Sequence, residues 1–171
     1  MTTQDFTIKW LAYTLALLPV WFLDAFLLSR FPVFGVCPML LPLCAAAVAT
    51  LEGAAAGAGF GLAVGVLFEA SVSTLLPGSM IFLFALMGLG CGLLSQYGLR
   101  QDFWGHLICS ALWLLGIDAL RIFARLSLGG DALRAMFPLA GREILWSLCF
   151  TPLVYLLFRW VFRRVPKPTV L

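Results

Sequence analysis

The stretch Gly53–Gly65, GAAAGAGFGLAVG, has a glycine at every fourth position of an apolar run, at Gly53, Gly57, Gly61 and Gly65. Positions four apart share one face of a helix, and these four extend over roughly 18 Å at about 1.5 Å per residue. Lipid supplies no hydrophobic drive between helices, so they associate through close backbone contact at small residues. The stretch therefore predicts a transmembrane helix whose glycine face packs closely on another helix.

The sequence leaves open which helix covers this glycine face. It could be another helix of the same chain, in which case the glycines serve folding. It could instead be a helix of another protein or of a second copy of the chain, in which case the face is a docking or homodimer surface. Both alternatives require backbone approach at the same four positions.

The composition is that of an integral membrane protein. Apolar residues make up 63% of the chain and charged residues 11%, with a mean hydropathy of +1.04. A soluble domain is usually about 45–50% apolar and about 25% charged. We therefore expect residues 1–171 to form a single membrane domain in contact with lipid. The net charge of +3 comes from side chains concentrated at the ends of the apolar segments. It therefore indicates the orientation of the chain in the membrane rather than nucleic-acid binding.

Six apolar segments can be drawn, and they predict an all-α polytopic membrane protein, a compact bundle of about six transmembrane helices. Segments two and three are interrupted only at Glu52-Gly53. This predicts a tight helical hairpin with Glu52 solvated in the turn. The segments cover about 10–28, 34–51, 53–68, 80–94, 103–123 and 144–162.

An even number of spans places both termini on the same side of the membrane. The basic pair Arg163-Arg164 directly follows the last span, and basic residues beside spans favour the cytoplasmic side. We therefore expect both termini in the cytoplasm, with residues 1–9 as a short N-terminal segment and residues 163–171 as a C-terminal tail.

Three acidic residues, Asp24, Glu69 and Asp118, fall near the outer ends of the odd-numbered segments. A charge inside the membrane is costly, so each requires an explanation. Arg121 follows Asp118 by three residues, which places both on one helical face, and Arg125 extends that face by one turn. These five residues either form a shared outer polar cluster, with Glu69 against Arg121 or Arg125, or are unrelated interfacial groups.

Nothing in the sequence predicts catalysis, a metal site or a cofactor. His106 is the only histidine, and its place at the start of segment five suits a residue at the membrane interface. Free cysteine in an apolar segment behaves as a small buried hydrophobe. The chain has five cysteines without CxxC spacing: Cys37, Cys44, Cys91, Cys109 and Cys149.

Three motifs resemble the family of the rod shape-determining protein MreD. Residues 59–71, GFGLAVGVLFEAS, resemble the family's glycine-rich signature, with Glu69 where the family usually has Asp. The run MGLGCG at residues 87–92 is similar to its next glycine cluster. The last span, EILWSLCFTPLVYLLFRWVFRR, is similar to its final helix, with Pro152 at the matching proline. The resemblance covers about residues 53–164.

The resemblance implies a non-enzymatic subunit of the bacterial cell-elongation machinery in the inner membrane. Its partner would be a protein like MreC, with the actin-like MreB and the polymerase RodA with its transpeptidase as indirect partners. The family is also similar in architecture to the substrate-binding subunits of energy-coupling-factor vitamin transporters. Under that alternative, Ala12 and Ala16 would dock a transmembrane partner, and Asp24, Glu69, Asp118 and Arg121 would line a vitamin pocket. The chain lacks asparagine and has few polar groups in its spans, which argues against a specific small-molecule site.

Overall fold

The computed structural model describes residues 3–30, 35–72, 77–98, 102–127 and 133–165. These residues form an all-α bundle, as predicted. The first helix, α1 (Thr3–Phe22), continues beyond Phe22 as a π-helical turn, Leu23–Leu27, and a 3₁₀ turn, Leu28–Arg30. The described ranges contain seven α-helices: α1 Thr3–Phe22, α2 Leu41–Glu52, α3 Ala54–Ser71, α4 Ser79–Tyr97, α5 Phe103–Ser127, α6 Leu133–Cys149 and α7 Thr151–Arg164.

Among the described residues, four helices are long and apolar enough to cross a membrane: Thr7–Phe26 of the first helical segment, α3, α4 and α5. A fifth span results if α6 and α7 are taken together, although they are bent by 43° where they meet. At 12 residues, α2 is well short of the roughly 20 that a bilayer requires. The six predicted segments thus correspond to four full-length apolar helices, one bent helix pair and one short apolar helix.

The predicted single helix over residues 144–162 is wrong, because the chain breaks at Phe150 between α6 and α7. Pro152 lies in the first turn of α7. Proline lacks an N–H and its ring clashes with the carbonyl four residues earlier, so it favours the first turn of a helix and kinks or breaks a helix in its interior. Helix α1 already begins at Thr3, so residues 3–9 of the predicted N-terminal segment are helical. The end of the predicted C-terminal tail, after Val165, lies outside the described residues.

Helix α2 occupies the centre of the bundle. All its residues from Leu41 to Leu51 are buried, and α3, α4, α5 and α7 pack around it. A helix that is apolar on every side is expected to be buried on every side, and alanine at positions 45–47 and 49 allows its neighbours to approach closely. Helicity does not extend back over residues 35–40, contrary to prediction. Pro38 disfavours helical geometry in Cys37, and Pro42 lies in the first turn of α2, where its missing N–H costs no hydrogen bond.

The predicted break between segments two and three is present at Gly53. This residue has φ +93° and ψ −173°, a conformation that costs glycine little and that residues with a Cβ rarely adopt. Its N–H still bonds the carbonyl of Ala49 at 3.1 Å. The chain therefore leaves α2 and enters α3 through one residue, and the two helices remain in contact.

The glycine face of α3 is covered by α4. A Cβ on Gly61 would lie 2.5 Å from the carbonyl oxygen of Phe84, and one on Gly65 would lie 3.0 Å from the Cα of Ile81. Real Cβ atoms are essentially never closer than 3.0 Å to such atoms. The α3–α4 interface is therefore a backbone-to-backbone contact within the chain.

Helix α4 contributes small residues of its own to this interface. A Cβ on Gly57 would lie 2.7 Å from the carbonyl oxygen of Gly88, and a Cβ on Gly88 or Gly92 would overlap the backbone of α3 near Gly57 and Ala54. Gly53 lies at the end of the same interface, against the side chain of Gln96. The glycines that meet across this interface thus form two complementary surfaces, whereas Gly59 and Gly90 have no atom within 4 Å of an added Cβ. The facing glycines are Gly53, Gly57, Gly61 and Gly65 on one side and Gly88 and Gly92 on the other.

Candidate functional site

The guanidinium group of Arg121, on α5, lies between two carboxylates. Its Nη1 atom is 3.8 Å from Asp118 Oδ1, three residues earlier on the same helix, and 3.4 Å from each carboxylate oxygen of Glu143 on α6. The Arg121 side chain also lies over the ring of Phe68, 5.9 Å from its centroid. The predicted pairing of Asp118 with Arg121 is confirmed.

Glu143 was not among the residues selected from the sequence. It lies next to the start of the last apolar segment, where an acidic residue is typical of the solvated end of a helix. It reaches Arg121 because α5 and α6 follow one another in the chain and pack together. A basic residue near the end of one helix and an acidic residue within the next were the available signal.

A cleft of about 320 Å³ opens beside these three residues, and we refer to it as the α5–α6 cleft. Arg125 also lines it, so the cleft holds three of the five residues of the predicted outer polar cluster. Its remaining walls are largely apolar. The lining residues are Val72, Ser79, Met80, Asp118, Leu120, Arg121, Ile122, Ala124, Arg125, Met136, Leu139, Ala140 and Glu143.

Glu69 makes a different contact from the one expected. Its carboxylate accepts a hydrogen bond from the backbone N–H of Gly78, which precedes α4 in a left-handed conformation with φ +83°. Arg121, its expected partner, instead contacts Asp118 and Glu143. Glu69 therefore links the end of α3 to the start of α4, because a backbone donor nine residues away in the chain lies within reach.

Asp24 lies in the π-helical turn that continues α1 and supports the irregular backbone before α2. Its Oδ1 accepts the N–H of Leu40 at 3.3 Å. Ser147 on α6 performs the same task for Met39, whose N–H it accepts at 2.9 Å, and donates its own proton to the carbonyl of Glu143 at 2.7 Å. Backbone donors within a membrane protein require internal acceptors, so these two side chains stabilise the entry to the central helix.

A second ionic group lies at the other end of α2, where the sequence predicted a solvated Glu52. That prediction is wrong. Lys9 on α1 forms an ion pair with Glu52, and the hydroxyl of Tyr13 donates to the second carboxylate oxygen at 2.7 Å. The Lys9 and Glu52 side chains are only 11% and 10% exposed. Because Lys9 is 43 residues away in the chain, local sequence gives no sign of this pair.

His106 is buried in the core rather than placed at an interface. It is fully inaccessible, its ring stacks on Tyr155 with centroids 5.2 Å apart, and its Nε2 is 3.5 Å from the hydroxyl oxygen of Ser110. Within the described ranges, no group of three or more His, Cys, Asp or Glu side chains could hold a metal ion. All five cysteines are free thiols.

The five residues predicted as one outer cluster thus occupy three places: Asp118, Arg121 and Arg125 line the α5–α6 cleft, Glu69 bonds Gly78, and Asp24 bonds Leu40. The four predicted packing glycines lie at the α3–α4 interface. The chain is a membrane helical bundle with an ion-paired cleft between two of its helices. Comparisons with models of protein families, with curated proteins and with solved structures give no match to this chain.

Proposed function

We propose that this chain is a non-enzymatic scaffold subunit of the bacterial cell-elongation machinery, located in the cytoplasmic membrane with both termini in the cytoplasm. Its direct partner is a protein like MreC. Through that partner it is linked to an MreB-like actin homologue and to a RodA-type polymerase with its transpeptidase. The proposal rests on the resemblance of three motifs to the MreD family and on the way in which the bundle uses its polar residues.

The observation that carries the proposal is that several buried polar side chains of the described spans are engaged in contacts between separate elements of the bundle. Lys9 and Tyr13 hold Glu52, Asp24 and Ser147 hold the backbone before α2, and Ser95 donates to the carbonyl of Thr50 at 2.7 Å. A site for a small polar molecule instead requires several polar groups that converge on a cavity. Polar side chains that hold the bundle together therefore support a rigid subunit that contacts its partners through its outer surface, rather than a subunit that binds a small molecule.

The surface available to a transmembrane partner is apolar. The outward face of α1 exposes Leu11 by 70%, Leu15 by 66% and Phe22 by 58%. The glycine face of α3 is already covered by α4 and would not be free for a partner or for a second copy. Under the proposal, a partner or a homodimer contact therefore uses outward apolar faces of this kind.

The alternative, a substrate-binding subunit of an energy-coupling-factor vitamin transporter, has one observation in its favour. The volume of the α5–α6 cleft, about 320 Å³, is at the lower end of the range of small-molecule sites, about 300–1,000 Å³. Against it, Ala16 is buried in the core and Ala12 packs against the core. The small-residue face that this alternative assigns to partner docking therefore points into the bundle.

Co-purification from the native membrane separates the two functions. The tagged chain, extracted in mild detergent, should capture an MreC-like protein in stoichiometric amount, and its depletion should shorten or round the cells. Capture of a paired ATPase module in place of the MreC-like protein would reject the scaffold function and support the transporter. An adjacent gene for an actin-like protein or for an ATPase would provide an independent indication.

A further inference from the structure

The α5–α6 cleft carries charges of both signs in a defined order along α5. Asp118, Arg121 and Glu143 together have a formal charge of −1. Arg125, one helical turn beyond Arg121, adds a positive charge and is exposed. Within the residues that the structure describes, the ion pairs of Arg121 involve Asp118 and Glu143, whereas Arg125 forms none. The cleft therefore has a negative inner part and a positive outer part.

The inner carboxylates retain capacity for a further hydrogen-bond donor. The contacts of Arg121 with Glu143, at 3.4 Å, and with Asp118, at 3.8 Å, are longer than the roughly 2.7–3.2 Å of an ordinary N–H···O bond. All of them use the single atom Nη1. Glu143 is still 20% exposed, and an ionised carboxylate accepts several hydrogen bonds. A primary ammonium group, with three donors, matches such a pair of carboxylates.

The surroundings of the cleft are those of a lipid-facing surface. Met80, Met136 and Leu139 form part of its wall. Next to lining positions in the chain, both helices expose large apolar side chains, with Phe123 64% exposed on α5 and Phe137 63% exposed on α6. Exposed apolar side chains beside an ion-paired cleft suit a ligand with acyl chains and a charged headgroup better than a water-soluble one.

We propose that the α5–α6 cleft binds one phospholipid whose headgroup carries a primary ammonium group, as in phosphatidylethanolamine. The ammonium group donates to Asp118 and Glu143, the phosphate pairs with Arg125, and an acyl chain lies along Met136 and Leu139. Asp118 and Arg125 are seven residues apart on α5, about two helical turns, and the two-carbon linker of the headgroup together with the long Arg125 side chain bridges this separation. The site goes beyond the scaffold function and does not depend on it.

The headgroup chemistry makes the proposal testable on the unmodified protein. The full chain, purified in detergent and stripped of lipid, is titrated by native mass spectrometry with three phospholipids of the same acyl chains, bearing ethanolamine, choline or glycerol headgroups. We expect the ethanolamine lipid to bind one copy per chain. The choline lipid should bind about tenfold more weakly, because a quaternary ammonium cannot donate a charge-assisted hydrogen bond. Equal or tighter binding of the anionic glycerol lipid would overturn the proposal.

A soluble competitor distinguishes a lipid from a free headgroup. Glycerophosphoethanolamine carries the same ammonium and phosphate groups without acyl chains. If the ligand is a lipid, this compound should fail to displace it at equal concentration. Equal competition would show that the cleft recognises a water-soluble compound and would overturn the lipid assignment.

Two variants and one control locate the site. Glu143→Gln should weaken binding of the ethanolamine lipid about twofold to fivefold, as expected for loss of one partly exposed ion pair. Leu139→Trp should have a similar effect by filling the cleft without changing its charge. Arg142→Gln is the matched control, because Arg142 is exposed on α6 and does not line the cleft. Binding by both cleft variants at the wild-type level would overturn the proposal. If Glu143→Gln does not fold, the binding measured for Leu139→Trp and for the three headgroups decides whether the proposal holds.

Discussion

The ammonium group of Lys9, near the start of α1, is ion-paired with the carboxylate of Glu52, the last residue of α2. The pair joins a peripheral helix to the end of the central helix and is almost completely shielded by the surrounding bundle. Tyr13, one turn further along α1, donates to the same carboxylate and stacks on Phe158 of α7 with centroids 6.2 Å apart. One carboxylate thus fixes the position of α1 relative to the centre of the fold.

Replacing Glu52 with Gln should strongly destabilise the bundle. The change leaves the Lys9 ammonium group buried without an opposite charge, which typically costs about 3–5 kcal/mol. The double variant Lys9→Met/Glu52→Gln should recover a large part of this loss, because no unpaired charge remains. Thermal unfolding in detergent measures both effects. The control is Arg163→Met on the exposed end of α7, which should change stability by less than about 0.5 kcal/mol.

Replacing Gly61 with Ala should destabilise the α3–α4 interface. The added Cβ would lie 2.5 Å from the carbonyl oxygen of Phe84, so the two backbones must separate, at a cost of about 1–3 kcal/mol. Gly61→Leu should reduce expression and the yield of monomer in detergent still further.

Gly59 provides the matched control for Gly61 on the same helix. A Cβ at Gly59 meets no atom within 4 Å, so Gly59→Ala should be neutral or should stabilise the helix by up to about 1 kcal/mol. If Gly61→Leu leaves expression and stability unchanged while partner co-purification falls, the glycine face serves docking and the packing described above is wrong.

Replacing Ser147 with Ala should destabilise the entry to α2. Its hydroxyl oxygen accepts the N–H of Met39 at 2.9 Å, and a buried backbone donor that loses its acceptor costs about 1–3 kcal/mol. Amide hydrogen exchange should accelerate at Met39 before it does so in the middle of α2. Ser71→Ala is the control, because Ser71 is exposed and bonds only the carbonyl of Leu67 in its own helix. Equal effects of the two changes would show that Ser147 has no special role.

The chain should bind none of the usual vitamins tightly. Apart from its four charged side chains, the wall of the α5–α6 cleft is largely apolar, so it supplies too few convergent polar groups to recognise such a compound. Equilibrium dialysis should give no dissociation constant below about 1 μM, which corresponds to about −8 kcal/mol. One stoichiometric vitamin complex would reject the scaffold function in favour of the transporter.

The sequence by itself determined the features that depend on neighbouring residues. Composition and the lengths of the apolar runs gave an all-α membrane bundle, because lipid tolerates only backbone whose hydrogen bonds are made internally. The break at Gly53 follows from a backbone conformation that favours glycine, and the pairing of Asp118 with Arg121 follows from their spacing of three residues on one helix. In each case the physical cause lies within one or two helical turns.

Only the tertiary structure decided which helix is central and which charges meet. The burial of α2 on all sides involves several helices at once. The two ion pairs join residues that are distant in the chain, 43 positions apart for Lys9 and Glu52 and 22 for Arg121 and Glu143. Apolar segments of a membrane protein are similar in composition, so their order does not show which faces meet. Close packing of small residues selects those faces, and the few charged side chains are then stabilised by the partners that this packing brings within reach.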